Sequence, residues 1–150
     1  MACEFLSIPV QSVSLNSPVI FTSSIPCRRN LVYHEDETGI FTLRGCTDQC
    51  FATYQITFNG NVQIPEGGDV VPVALAIAVQ GEARPSSLAI YSPQAVEEFG
   101  NLTSTAIVKV PRGCCFSVSV EHVSASADPT VTPAPVIEVQ NANLVIDRIA

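Results

Sequence analysis

The stretch Asn101–Val123 constrains the fold most, because two runs of alternating residues flank a Pro-Arg-Gly turn within it. The apolar members of both runs have even numbers: Ala106, Val108, Val110, Phe116, Val118 and Val120. Period-two alternation rich in β-branched residues, interrupted by Pro and Gly, predicts two antiparallel strands joined by a short connection. We therefore expect the even-numbered side chains to face a core.

Two adjacent cysteines, Cys114 and Cys115, open the second of these runs. Successive side chains of a strand point to opposite faces. If the strand is already regular at this point, Cys114 points inward with Phe116 and Cys115 points the other way. We expect one sulfur to contribute to the fold of its own chain and the other to interact with a neighbouring molecule.

Most of the remaining chain consists of short β-type segments separated by Gly, Pro and polar turns. The expected strands are residues 18–22, 31–34, 40–44, 51–58, 70–80, 86–91, 137–139 and 144–149. Asn59-Gly60 is a two-residue turn signal, and residues 93–100 are expected to form a loop with at most one helical turn, at Gln94–Glu98. About nine or ten short strands with little helix are typical of an all-β, two-sheet antiparallel jelly-roll sandwich.

Residues 70–80 are unusual because both faces of the expected strand are apolar. One face carries the small side chains of Ala74, Ala76 and Ala78, which would suit close approach by another sheet or another subunit. An alanine-rich helix is the alternative. The Val-Val-Pro start and the flanking Gly/Pro loops favour a strand.

The first sixteen residues are set apart from the jelly-roll domain that we expect over residues 17–150. They alternate weakly and carry Cys3. They are interpreted either as an edge strand of the domain or as an N-terminal arm that adds to another subunit's sheet and is locked there by Cys3.

Composition limits the classes of partner. The 150 residues suffice for one domain with a real core, and 47% are apolar while only 14% are charged. A low charge fraction fits a protein that covers much of its surface with copies of itself, and it also fits a compact monomer. The net charge of −7, with seven Lys and Arg, argues against nucleic-acid binding.

The sequence also bears on location. It shows neither a classical signal peptide at its start nor an apolar run long enough to span a bilayer. Stable disulfides are rare in reducing cytosol. We therefore expect an extracellular, spore-surface, cell-surface or virion location, reached without a classical signal peptide.

Six cysteines are the candidate disulfide and cross-link residues: Cys3, Cys27, Cys46, Cys50, Cys114 and Cys115. A disulfide within the domain, between the Cys46/Cys50 loop and Cys114 or Cys115, and a disulfide between subunits are both open, because sequence cannot select among the pairings. A four-thiolate zinc site is a weaker alternative, since its spacing does not repeat a common zinc knuckle and adjacent strand cysteines diverge.

No catalytic, metal or cofactor site is expected. A metal enzyme on this type of fold would need several converging histidines, and only His34 and His122 are present, in separate segments. They are interpreted as a surface-turn residue and a strand residue. Glu35-Asp36-Glu37 lacks calcium-loop spacing and is interpreted as a solvated turn. No motif supports an activated cysteine nucleophile.

The order of segments resembles the tumour-necrosis-factor-like jelly roll, in particular the C-terminal domains of exosporium collagen-like proteins. The segments that carry the resemblance are Ser17–Thr22, Thr38–Thr42, Tyr54–Gly60, Val73–Gly81, Ser104–Val110 and Ala142–Ala150. The resemblance implies a compact trimer. The chain departs from the pattern in having no Gly-X-Y stalk and many more cysteines. These departures make it more similar to cysteine-bearing jelly-roll subunits of endospore appendages. That similarity lies in the use of cysteines for cross-linking and not in a shared motif.

These observations lead to two hypotheses. The first is a structural, self-assembling subunit of a bacterial surface, spore or filamentous appendage, cross-linked by disulfides. The alternative is a trimeric receptor- or carbohydrate-binding module of a phage or bacterial surface, whose loops at 65–69, 93–100 and 125–135 would contact a glycan or another surface ligand.

Overall fold

The structure is a computed structural model that describes residues 2–25, 31–125 and 134–150. These residues contain twelve strands and one short 3₁₀ turn, Pro85–Ser87. The strands are β1 (Ala2–Ser7), β2 (Gln11–Val13), β3 (Ser23–Ile25), β4 (Val32–His34), β5 (Phe41–Arg44), β6 (Phe51–Gln63), β7 (Val73–Val79), β8 (Glu82–Ala83), β9 (Ala89–Tyr91), β10 (Gly100–Pro111), β11 (Cys115–Val123) and β12 (Ile137–Arg148).

The strands form two antiparallel sheets, which we call sheet A and sheet B. Sheet A has the order β10-β6-β12-β1-β3, with β2 also paired to β12. Sheet B has the order β4-β5-β11-β7-β8, with β9 also paired to β7. The expected all-β, two-sheet jelly-roll sandwich is therefore confirmed. Among the residues just defined, no helix has the length and apolarity that a membrane crossing requires.

The core lies between the inner faces of the two sheets. Phe21, Phe41, Phe58 and Tyr54 are fully buried there, and the Phe21 ring meets the Phe41 ring edge to face with 5.4 Å between centroids. Burying side chains of this size supplies most of the stabilisation of such a sandwich. The even-numbered apolar residues of β10, and Val118 and Val120 of β11, belong to this core as expected.

The two strands of the Asn101–Val123 stretch, β10 and β11, are not paired with each other. β10 pairs with β6 in sheet A along its whole length, whereas β11 pairs with β5 and β7 in sheet B. The predicted connection is short, but it carries the chain from one sheet to the other. Alternation identifies the buried face of each strand but does not predict which strand it pairs with, because the inner faces of both sheets are equally apolar.

The Asn59-Gly60 turn prediction is wrong, because β6 runs straight through it. Gly60 pairs with Leu102, and a Cβ atom there would lie 2.9 Å from the Phe58 ring. The glycine therefore makes room for an aromatic side chain inside a strand. The two expected C-terminal strands are likewise one strand, β12, with an irregularity between Gln140 and Asn143.

All seven residues of β7 are buried, which confirms a strand that is apolar on both faces. Ala74, Ala76 and Ala78 are at most 1% exposed in the single chain. Their face therefore needs no second subunit to cover it. The edge of β7 is completed by Ser87, whose hydroxyl accepts a 2.9 Å hydrogen bond from the Ile77 amide and donates to the Arg84 carbonyl oxygen at 2.7 Å.

Several smaller expectations are corrected. Residues 18–22 make only isolated bridges, of Pro18 with Glu121 and of Phe21 with Thr38. Residues 86–91 divide into the 3₁₀ turn and β9. Residues 93–99 form the expected loop, and it contains no helical turn.

The N-terminal segment pairs within its own chain. β1 lies between β12 and β3, so β3 rather than β1 is the edge strand on that side of sheet A. Phe5 is buried in the core. Exchange of this segment between copies, and a boundary at residue 16, stay predictions.

Candidate functional site

Four of the six cysteines lie at one end of the sandwich, which we call the thiol end. Cys46 and Cys50 are in the loop between β5 and β6, and Cys114 and Cys115 stand where β11 begins. All four are exposed, free thiols. The predicted disulfide between the loop and Cys114 or Cys115 is therefore not formed. The expected inward orientation of Cys114 is also wrong, because the residue precedes the regular strand.

Backbone hydrogen bonds hold the two cysteine segments together. The Gly45 amide donates to the Cys114 carbonyl oxygen at 2.8 Å, the Gly113 amide donates to the Gly45 carbonyl oxygen at 3.0 Å, and the Arg112 amide donates to the Cys50 carbonyl oxygen at 3.0 Å. Gly45 is required here because a Cβ atom would overlap the Pro111 carbonyl oxygen. The four thiols therefore share one anchored surface rather than two independent loops.

Tyr54 supports the thiol end from inside. Its hydroxyl donates to the Arg44 carbonyl oxygen at 2.6 Å and also lies 3.4 Å from the Leu31 carbonyl oxygen. Burial raises the pKa of the Tyr54 phenol above its ordinary value, although the charge of Arg148 opposes the increase. The Arg148 guanidinium lies 5.5 Å from the centre of the Tyr54 ring. The hydroxyl is consequently neutral and acts as a donor near pH 7.

The other two cysteines differ from this group. Cys3 belongs to β1, is 4% exposed and is disulfide-bonded. It is therefore a buried, bonded residue rather than a reactive thiol on the surface of the single chain. Cys27 lies outside the described residues.

Within residues 2–25, 31–125 and 134–150, no three His, Cys, Asp or Glu side chains are placed to hold a metal ion. The two histidines are on different strands of sheet B: His34 stacks on the Phe41 ring with 4.3 Å between centroids, and His122 is fully buried. His34 is therefore a partly buried strand residue and not the surface-turn residue expected from sequence.

A second surface feature is the outward-facing side of sheet A, which we call the outer face of sheet A. Its side chains on β6 and β10 alternate with the core residues, and they are, in order, Thr53, Gln55, Thr57, Asn59, Asn61, Asn101, Thr103, Thr105, Ile107 and Lys109. Nine of these ten residues are uncharged. The sequence showed the alternation within each strand, but not that β6 and β10 are neighbours.

Short polar side chains on this face bond to one another across the strands. The Asn101 side-chain amide donates to Asn59 Oδ1 at 2.7 Å, and the Thr103 hydroxyl donates to the same oxygen at 3.3 Å. The face is therefore preorganised, with much of its hydrogen-bonding capacity already satisfied. Ile107 is 55% exposed on it.

The free edge of sheet A at β10 is capped within the chain. Arg84 Nη1 donates to the Ile107 carbonyl oxygen at 3.0 Å, and the Ser104 hydroxyl donates to the Ser87 carbonyl oxygen. A covered edge disfavours strand addition there. The face is therefore a better surface for a partner than the β10 edge.

Comparison with known proteins supports this architecture. No family model matches the sequence, and no curated protein matches it. Among solved structures, the globular domain of zebrafish complement 1qA protein is similar with a TM-score of 0.63 and 13% identity, over 99% of this chain and 97% of that one. Eiger TNF from S. frugiperda is similar with a TM-score of 0.66 and 10% identity, over 100% and 92%.

Murine APRIL at pH 8.5 is a third similar structure, with a TM-score of 0.53 and 13% identity, over 99% of this chain and 100% of that one. Identities this low establish the fold alone. Two antiparallel sheets in this order, matched over nearly the whole chain, have the TNF-like jelly-roll fold.

Proposed function

We propose that the chain is a structural subunit that assembles with copies of itself, first side by side as a trimer, and that disulfides then cross-link the assembly. The trimer is what the resemblance to TNF-like jelly rolls implies. We propose that the assembly is part of a bacterial surface, a spore or a filamentous appendage. We assign it no catalytic activity and no cofactor.

The outer face of sheet A carries the proposal. Its part on β6 and β10 is preorganised and nearly uncharged, on a chain whose net charge is −7. A self-associating surface must lose water without burying unpaired charge. Thr and Asn side chains that already bond to one another meet that condition, and the exposed Ile107 adds apolar area.

Side-by-side assembly gives the thiols a role. If the rotation axis runs along the strands, the thiol ends of neighbouring copies lie at the same end of the assembly. Cys46, Cys50, Cys114 and Cys115 of one copy are then beside those of the next. Oxidation by oxygen, or exchange with a small disulfide, would join two thiols with loss of two electrons and two protons. Such bonds persist outside reducing cytosol.

The alternative binding function has one observation in its favour. Two of its loops meet, because the Glu97 amide donates to the Ile64 carbonyl oxygen at 2.7 Å. Residues 126–133 of the third loop lie outside the described residues. A trimer that binds a glycan through these loops, and that forms no polymer, would favour this alternative.

Electron microscopy with reducing and non-reducing gels tests the structural proposal. We expect oxidised protein to give trimer-sized particles and a ladder of bands, up to the covalent trimer, that collapses on reduction. Cys114→Ser together with Cys115→Ser should shorten the ladder, whereas Ser117→Ala, farther along the same strand, should not. A non-reducing gel with only monomer under oxidising conditions would refute cross-linking.

A further inference from the structure

The two ends of the sandwich carry clusters of opposite charge in the described residues. The thiol end includes residues 44–50, 109–115 and 147–150. It holds four of the chain's seven Lys and Arg: Arg44, Lys109, Arg112 and Arg148. Its carboxylates are Asp48 and Asp147. This end is therefore net positive on a chain that is strongly negative.

The opposite end, which we call the acidic end, has the reverse composition. It includes the loops 64–72 and 92–99, which contain Glu66, Asp69, Glu97 and Glu98 but no Lys or Arg. All four carboxylate residues are exposed. The hydrogen bond from the Glu97 amide to the Ile64 carbonyl oxygen puts the loops side by side. Four negative charges thus form one surface.

Both ends also expose apolar side chains. Phe51 and Ile149 are each 47% exposed at the thiol end, and Val70 and Phe99 are 45% and 40% exposed at the acidic end. Each end therefore combines apolar area with charge of one sign. Surfaces of this kind are complementary in both respects when the end of one molecule meets the opposite end of another.

We propose that the acidic end of one copy docks on the thiol end of the next, so that copies stack head to tail. The contact is between two different surfaces, so repetition does not close it, and it propagates as a filament. Strand β6 alone spans roughly 40 Å between the ends, which is well beyond the Debye length of about 8 Å in physiological salt. Attraction therefore acts where opposite ends meet, and not within one copy.

This stacking extends the proposed function but does not depend on the trimer. Exposed ion pairs are individually weak, so a junction between two single copies is weak. A trimer would present three thiol ends on one side and three acidic ends on the other, and three linked contacts bind more tightly than one. A single copy would stack by the same contacts at higher concentration.

The stacked junction is not itself a disulfide. The acidic-end loops 64–72 and 92–99 contain no cysteine that could pair with Cys46, Cys50, Cys114 or Cys115 of the next copy. Docking instead covers those thiols. Stacking should consequently slow the labelling of Cys114 and Cys115 by a maleimide, and salt that disperses the stack should restore it.

Sedimentation velocity of reduced protein tests the proposal with two charge-reversal variants. Arg44→Glu/Arg112→Glu changes the thiol end, and Glu97→Lys/Glu98→Lys changes the acidic end. Wild-type protein should form stacks at about 20 mM salt that disperse at about 500 mM, where screening is nearly complete. Each variant alone should lose stacking, and an equimolar mixture of the two should regain it. Recovery in the mixture also shows that both variants are folded.

The matched control is Glu35→Lys/Asp36→Lys, which makes the same charge change in the exposed turn between β4 and β5. It should stack as the wild-type protein does. The proposal is overturned if association is independent of salt, if the mixture of variants does not recover, or if thiol labelling is the same in low and high salt.

The mass at high salt separates this proposal from the trimer. A trimer that persists at high salt, with no stacks at low salt, leaves the proposed function standing and refutes stacking. A monomer at high salt that forms salt-sensitive stacks refutes the trimer and supports stacking.

Discussion

The Gly45 amide donates a 2.8 Å hydrogen bond to the carbonyl oxygen of Cys114. This bond joins the loop that carries Cys46 and Cys50 to the start of β11, where Cys114 and Cys115 stand. Four exposed thiols thereby become one feature of the fold, although the sequence separates them into two distant pairs.

The first prediction concerns thiol accessibility. Under native, non-reducing conditions, iodoacetamide should modify Cys46, Cys50, Cys114 and Cys115, because all four are exposed and free. Cys3 should be protected by its burial and its disulfide bond. Peptide mass spectrometry measures the modification at each site. Protection of the exposed four in freshly reduced and desalted monomer would contradict the structure.

The second prediction concerns the support beneath the thiol end. Tyr54→Phe removes the hydroxyl that donates to the Arg44 carbonyl oxygen. The loss of one hydrogen bond, with a partly buried acceptor left behind, should lower the free energy of unfolding by about 1–2 kcal/mol. Urea denaturation measures the change. Tyr33→Phe, at an exposed tyrosine of β4, is the control and should change stability little; equal effects of the two variants would refute the role of Tyr54.

The third prediction concerns the edge of β7. Ser87 is 3% exposed, and its hydroxyl satisfies the Ile77 amide at 2.9 Å. Ser87→Ala should cost about 1–3 kcal/mol, since the amide is left buried without a partner. Ser86→Ala removes the same hydroxyl from an exposed neighbour. Thermal unfolding should show a clear loss for the first variant only, and similar melting of the two would contradict the assignment.

The fourth prediction is a pH dependence of stability. His122 is fully buried, and its burial lowers its pKa below the ordinary 6.5, although bonds to the Val13 and Ser14 backbone oppose the shift. The unfolded chain therefore takes up a proton near pH 6.5, while the folded chain takes it up only at lower pH. The free energy of unfolding should be highest above pH 6.5 and should fall as the pH drops below that value.

The variant His122→Leu isolates this effect. It should flatten the pH dependence of urea-unfolding free energies between about pH 5.5 and 7, a range in which most carboxylates stay ionised. Overall stability can fall too, because the Val13 carbonyl oxygen loses its 3.3 Å contact with His122 Nδ1. An unchanged slope in the variant would assign the pH dependence to other groups.

Local alternation was enough to predict the sandwich and its inward faces. Val108 and Val118 are both buried, as their positions in alternating runs indicated. Alternation did not predict that β10 and β11 belong to different sheets, since the period of a strand carries no information about its neighbour. The turn signal at Asn59-Gly60 failed for a tertiary reason, the packing of the Phe58 ring over Gly60.

The candidate site was only partly predictable. The sequence identified the cysteines as candidates. The environment of Cys114, however, depends on the residue at which β11 becomes regular. The turn formed by residues 111–114 and its hydrogen bonds to Gly45 determine that residue. The outer face of sheet A required the register of β6 and β10, in which Thr57 lies opposite Thr105. Registers of this kind arise from long-range pairing.

Light scattering of the reduced protein at high salt tests self-association through the outer face of sheet A most directly. It compares the molar mass of the wild-type protein with the molar masses of two lysine variants. Ile107 on that face and Tyr33 on sheet B are both 55% exposed, so Ile107→Lys and Tyr33→Lys place the same charge at equally exposed sites. We predict a trimer for the wild-type protein and for Tyr33→Lys, and a monomer for Ile107→Lys. A trimer that survives Ile107→Lys, or a wild-type monomer, would contradict the account.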